Sequence, residues 1–148
     1  MASDEDRVLI APCGIYCGAC PLYLARTDES LRRRIGETRG IAVEDVDICE
    51  GCRPMRGVVT VMGDAVCETY ACAVDGRGVE FCYQCRDFPC LKLAPCADRA
   101  QEIPHNTKVY NLILLRKEGV DSFIQNYRTR IRQYLRGKKP RAGGDIQL

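Results

Sequence analysis

The sequence predicts a small, mainly α, cysteine-rich domain with little strand, closed by a C-terminal helical hairpin. Three observations carry that prediction. Eleven cysteines fall within residues 13–96, where Gly is frequent and helical periodicity is weak. The C-terminal third changes character and shows apolar residues at helical spacing. At 148 residues the chain fits a single domain. A middle segment so poor in periodicity and so rich in thiols needs a staple, as small scaffolds with thin cores do. The domain is therefore expected to be metal-stapled. It is placed at 1–137, with a thiol-rich part at 13–96, a hairpin at 104–137 and a disordered tail at 138–148.

Taken in order, residues 1–12 read as a short tail followed by a brief strand, Val8 to Ala11, which Pro12 stops. The first cysteine loop, Cys13 to Cys20, comes next. Pro21 suits the first turn of a helix, with Leu22, Leu24 and Ala25 as its apolar face. A second helix, about Asp28 to Glu37, carries Leu31 and Ile35 at i, i+4, with Arg32, Arg33 and Arg34 as a solvated face and Gly36 and Gly40 marking its end. Gly57 to Asp64 reads as a short strand and turn between thiols. Leu91, Leu93 and Ala94 suggest one helical turn after Cys90.

Val109, Leu112, Ile113 and Leu115 begin the hairpin, and Gly119 ends its first helix. Phe123, Ile124, Tyr127, Ile131, Tyr134 and Leu135 make the apolar stripe of the second. Arg128, Arg130, Arg132, Arg136, Lys138, Lys139 and Arg141 follow without an acidic side chain among them. A solvated face plus tail is the expectation there, ahead of a footprint for nucleic acid or an acidic protein partner.

Charge and compartment narrow the chemistry. Basic residues number 22 and acidic ones 20, so the net charge of +2 points to neither nucleic acid nor membrane. The acidic start, Asp4-Glu5-Asp6, is not a secretory n-region, and no stretch approaches the ~20 apolar residues of a membrane span. The expected location is the cytoplasm, where disulfides persist poorly and paired thiols bind metal or do redox work. With one histidine, no Ser–His–Asp set has support, and no phosphate loop is present. No catalytic residue is assigned, and the chain is read as a non-enzyme.

The expected metal ligands are Cys13, Cys17, Cys20, Cys49, Cys52, Cys67, Cys72, Cys82, Cys85 and Cys90. Cys13-x3-Cys17-x2-Cys20 puts three thiols on one loop, enough to cap a face of a 4Fe–4S cluster. That spacing also occurs in radical S-adenosylmethionine enzymes, but those build on barrels of ~200 residues or more, and this chain shows no βα repeat. Cys49-Glu50-Gly51-Cys52 is a knuckle whose small third residue permits a tight turn. Cys49, Cys52, Cys67 and Cys72 have a zinc spacing, which would leave the first loop to combine with members of the Cys82, Cys85, Cys90 group. Which pairs join is left open at this level. Zinc is the expected metal and a 4Fe–4S cluster the alternative. Cys96 is read as an inert thiol. His105 is read as a helix-boundary residue in preference to a fourth ligand.

The runs Cys13-Gly-Ile-Tyr-Cys-Gly-Ala-Cys-Pro-Leu-Tyr, Cys49-Glu-Gly-Cys-Arg, Cys67-Glu-Thr-Tyr-Ala-Cys-Ala and Gly78-Val-Glu-Phe-Cys-Tyr-Gln-Cys-Arg-Asp-Phe-Pro-Cys-Leu-Lys-Leu together resemble the domain-of-unknown-function family 3795. The likeness extends over about residues 8–128, including Pro104-His105-Asn106 and the stretch through Gly119-Val120. It implies a small cysteine-rich bacterial or archaeal protein that binds metal, without an established activity. Cys96 lies outside the family pattern. The expected role is a structural metal centre that supports binding of a protein partner. The rival is electron transfer by an iron–sulfur protein or a small subunit of an anaerobic oxidoreductase.

Overall fold

The computed structural model describes residues 3–60, 63–94 and 107–136. The chain opens with a helix, α1 (Asp4–Val8), where a strand was expected. Ser3 and Asp6 form a capping box, the hydroxyl accepting from the Asp6 amide at 3.1 Å, and three acidic residues fill the first turn. Both effects favour a helix start, and they draw Val8 into it. Strand character survives only as a bridge between Ile10 and Tyr16.

The four residues after α1, Leu9 to Pro12, form a buried spine to which three cysteine loops are tied. The Cys17 amide donates to Leu9 O at 2.7 Å and the Cys82 amide to Pro12 O at 2.8 Å. Arg53, just after Cys52, donates Nε to Ile10 O at 2.8 Å and Nη2 to Glu80 O. Its guanidinium also lies over the Phe81 ring, 5.2 Å from the centroid. Ile10 and Ala11 are almost fully buried, so these carbonyls need protein donors.

Two helices follow the first loop. In α2 (Pro21–Leu24) Pro21 occupies the first turn, as expected. In α3 (Glu29–Arg39) Asp28 accepts from the Leu31 amide at 2.9 Å and Gly40 closes the helix in a left-handed conformation. Gly36 lies inside this helix rather than at its end. It is buried, and a Cβ there would stand 2.9 Å from Ile41 O. Arg33 and Arg34 are exposed as expected, whereas Arg32 is half-buried and donates to the carbonyls of Glu44 and Val46.

Beyond Cys52 the chain makes a two-residue antiparallel ladder, β1 (Val58–Val59) with β2 (Ala65–Val66), pairing Val58 with Val66. One short turn, α4 (Glu68–Tyr70), runs into a π-helical turn, Ala71–Gly76. After Cys90 the expected turn is present as a 3₁₀ helix, Leu91–Leu93.

The hairpin is formed by α5 (Lys108–Arg136), whose helical geometry is interrupted at Gly119, φ 78° and ψ 171°. The Tyr127 side chain lies close to that of Asn111, sixteen residues earlier. A straight helix would hold them ~24 Å apart, so the chain folds back at Gly119. Arg130 and Glu118 pair across the same bend at 2.6 Å, which ties up one cation of the expected basic face. The remaining basic side chains from Arg132 onward, the expected tail, Cys96 and His105 lie outside the residues, or the side chains, described.

Leu112, Leu115 and Phe123 from the two arms pack with Ile10, Leu9 and Phe81 in one core. Burial of each such side chain contributes about 1.5–3 kcal/mol. Asn111, fully buried, donates Nδ2 to Gly14 O at 2.8 Å and to Thr107 Oγ1 at 3.1 Å, docking the hairpin on the first cysteine loop. Tyr127 stacks edge-on against Tyr16 at 5.1 Å and Phe123 at 5.4 Å.

Burial pushes the Tyr127 phenol up to about 12. A pKa raised by folding means its stabilising effect is complete below the ordinary value near ~10 and is lost as pH rises through about 12. Tyr127→Phe, which cannot ionise, is therefore expected to shift alkaline unfolding to higher pH. Circular dichroism at pH steps across this window checks it, and an unshifted transition would remove Tyr127 as a determinant.

Candidate metal centre

Ten thiols are described, and all ten are free of disulfides. The loops that carry them are short, and the local sequence explains their shape. Cys17–Ala19 and Cys82–Gln84 are two 3₁₀ turns of the same construction. Each follows an aromatic residue in extended conformation, Tyr16 or Phe81. Each closes through the fourth residue: Cys20 N donates to Cys17 O at 2.9 Å, and Cys85 N to Cys82 O at 3.1 Å. Each leaves through an extended cysteine with nearly equal dihedrals, φ −74° and ψ 132° at Cys20 against φ −73° and ψ 138° at Cys85. A Cys-x2-Cys turn of this kind directs two thiols to one side, which is the requirement for half of a tetrahedral thiolate site.

Cys72, Cys82, Cys85 and Cys90 line one cavity, with Val79, Phe88 and Leu93 as apolar walls. Arg77 and Lys92 line it too. Arg77 is paired with Asp87 and lies within electrostatic reach of Cys72 and Cys85. Lys92 is paired with Glu68 at 3.2 Å and lies within electrostatic reach of Cys72 and Cys90. Cys82 is in turn a neighbour of Cys90, Cys72 and Cys85, and burial pushes its thiol up to about 12. Cys72 comes from the π-helical turn and Cys90 from the segment after the second 3₁₀ turn, so three elements supply four thiols. The spacing that had suggested Cys72 with Cys49, Cys52 and Cys67 does not describe this grouping.

The remaining six thiols gather around the first loop. The Cys52 amide donates to Cys17 Sγ at 3.4 Å, across 35 residues of sequence. Cys17 is within electrostatic reach of Cys20, Cys49 and Cys13, and burial raises its thiol to about 11. Cys52 neighbours Cys13, Cys17 and Cys67, and burial holds its thiol well above the ordinary range. Cys13 is buried, its thiol raised by desolvation, and it borders both groups through Cys67 and Cys82.

Among the described residues, no group of three or more His, Cys, Asp or Glu side chains is already gathered closely enough to hold a metal ion. Closing a shell around the cavity therefore takes side-chain rotation, and a thiol has three staggered χ1 positions to choose from. The donor set fits a thiophilic ion: it is all sulfur, partly buried, and bordered by two cations within electrostatic reach of the sulfurs. Arg53, Arg77 and Lys92, which frame the thiols, were not singled out from the sequence. The one available signal was position, each lying within five residues after a cysteine.

Among the described residues, no helix is long and apolar enough to cross a membrane. A family model described as "Protein of unknown function (DUF3795)" matches residues 9–95. The matched span holds all ten thiols above and leaves out Cys96 and the hairpin, which the resemblance read from the sequence had included. No curated protein and no solved structure matches the chain.

Proposed function

We propose a metal-binding function for this chain, which belongs to the DUF3795 family of proteins of unknown function. The ion is zinc, held as a structural centre by thiolates of Cys72, Cys82, Cys85 and Cys90. The observation that carries this reading is the convergence of those four thiols on one cavity, beside Arg77 and Lys92. Four thiolates and a divalent ion leave two negative charges, and the Arg77–Asp87 and Lys92–Glu68 pairs border them with the cations within electrostatic reach of the sulfurs. Zinc takes such all-sulfur sites in closed tetrahedral form, with no position left for chemistry. The role is then architectural: the ion fixes the loops that carry its ligands. The fixed loops present apolar side chains at the rim, Leu91 above all at 92% exposed, to a protein partner.

The same two cations also favour a second reading, a 4Fe–4S cluster for electron transfer, whose charge grows more negative on reduction. Anaerobic purification followed by elemental analysis and visible absorption separates the two. Colourless protein with zinc supports the first reading. Brown protein with iron and sulfide supports the second. Cys85→Ser is expected to abolish the ion at this cavity, because a hydroxyl replaces a thiolate poorly. Unchanged metal content in that variant would remove the cavity as the site.

A further inference from the structure

We propose that the chain carries a second, separate metal centre, in which the Cys17–Cys20 turn and the Cys49–Cys52 knuckle close on one thiophilic divalent cation.

Three geometric features point there. The first is the shared construction of the two 3₁₀ turns. Cys17–Cys20 repeats the backbone of Cys82–Cys85, including the closing hydrogen bond and the extended exit. A turn that directs two thiols to one side in the cavity does so again here. The second is the way the knuckle is pressed onto that turn. The Cys52 amide donates to Cys17 Sγ at 3.4 Å. That contact sets the backbone of the knuckle directly against the Cys17 sulfur, the juxtaposition that a centre shared by the two pairs requires. The third is the glycine that permits the approach. Gly51 has φ +104°, and a Cβ there would stand 3.0 Å from Leu9 Cδ2 and 3.6 Å from Cys17 Cβ. The positive φ is what calls for glycine at this position, and the backbone it allows lies against Leu9 and the Cys17 turn.

Charge and access agree with the geometry. Cys17 is within electrostatic reach of both Cys20 and Cys49, so the two pairs share one neighbourhood. Arg53 lies beside Cys52 and offsets part of the thiolate charge. Cys20 and Cys49 are half-exposed, which gives an ion a way in, while Cys17 is buried and anchors the inner side. Cys13 and Cys67 are both within electrostatic reach of Cys52, and Cys13 also of Cys82. Neither belongs to a Cys-x2-Cys turn, and they are not ligands in this assignment.

The two centres share a support. Cys17 hangs from Leu9 O and Cys82 from Pro12 O, so the buried spine fixes their relative position without joining their ligands.

The test counts zinc ions per chain by native mass spectrometry on the full-length protein loaded with zinc alone. Wild type is expected to carry two. Cys20→Ser with Cys49→Ser should carry one, and Cys20→His with Cys49→His should return to two, because imidazole is itself a zinc ligand. Cys85→Ser with Cys90→Ser should also carry one, which separates failure of the cavity site from failure of this one. Cys67→Ser should keep two, and a loss there would overturn the ligand assignment. A wild type with one ion, lost only in the Cys85 and Cys90 variant, would overturn the second centre and leave the first.

Alkylation of the wild type keeps the test independent of folding in the variants. Cys20 and Cys49 should be protected from iodoacetamide in the loaded chain and modified after chelation. Equal modification with and without zinc would also overturn the second centre.

Discussion

Stripping metal from the protein is expected to unfold most of residues 13–90, and the effect should be the largest available from any single treatment. Between α3 and the hairpin, the described regular elements are two to six residues long, and the ladder among them has two residue pairs. A 3₁₀ turn held by two internal bonds, as at Cys17–Cys20 or Cys82–Cys85, does not persist alone. The apolar core joins the spine to the hairpin and reaches the loops through a few residues each, Cys13 and Cys17 in the first, Ala73, Phe81, Cys82 and Leu93 in the later ones, with their half-buried neighbours. Structural zinc supplies roughly 10–16 kcal/mol of apparent free energy in small metal domains. A whole domain is stable by only about 5–15 kcal/mol. Removing the ion should therefore take the loops below the folding threshold. Hydrogen exchange of the chelated protein should show lost protection at the amides of Cys17, Cys52, Cys82 and Cys85, restored when zinc is returned. Unchanged protection in a chain shown to be metal-free would sink the idea that metal and fold are coupled.

The elements that could be read from the sequence are those whose cause is local. Asp28 and Gly40 bracket α3 because a cap and a left-handed exit are properties of single residues. Gly119 divides α5 for the same reason. The reversal there could be foreseen because the apolar stripe on either side of the glycine has to meet the same core. The strand expected at Val8–Ala11 failed through a signal that was present and passed over. Ser3 and Asp6 stand at capping-box spacing, Asp6 being one of three acidic residues in the first turn, and a short apolar run does not outweigh them.

The thiol grouping could not be read, since it depends on where the chain goes between motifs. Cys72 lines the same cavity as Cys82, Cys85 and Cys90 from the π-helical turn Ala71–Gly76. No sequence spacing encodes that path. The role of Arg53 was equally hidden. An arginine after a knuckle reads as a solvated cation, and only the fold shows it bonded to Ile10 O and Glu80 O. The cations beside the cavity are of the same kind: their sequence positions say nothing about Asp87 and Glu68, which hold them in place.

Gly57→Ala is expected to destabilise the protein by about 3 kcal/mol or more and to weaken metal binding with it. Two costs combine. Gly57 has φ +79°, a conformation that costs an L-residue roughly 1–2 kcal/mol. A Cβ there would also fall 2.6 Å from Cγ and Cδ1 of Tyr70, which is buried at the end of α4. Overpacking of that kind costs about 1–3 kcal/mol. Tyr70 cannot swing away cheaply, because its ring is enclosed and its backbone leads directly into the turn that carries Cys72. Gly57 also joins two of the thiol loops, its amide donating to Cys52 O at 2.8 Å and its carbonyl accepting from Cys67 N at 2.8 Å. A shift that relieves the clash must therefore move Cys52, Cys67 or Cys72.

Gly40→Ala supplies the control. Its φ is +67°, but nothing lies within 4 Å of the added carbon, so it should lose only the backbone part, about 1–2 kcal/mol. Denaturant midpoints of the two zinc-loaded variants measure the difference, and zinc competition with a chelator measures the affinity. The steric account fails if the two glycines cost the same. The link from packing to metal fails if Gly57→Ala loses stability and keeps wild-type zinc affinity.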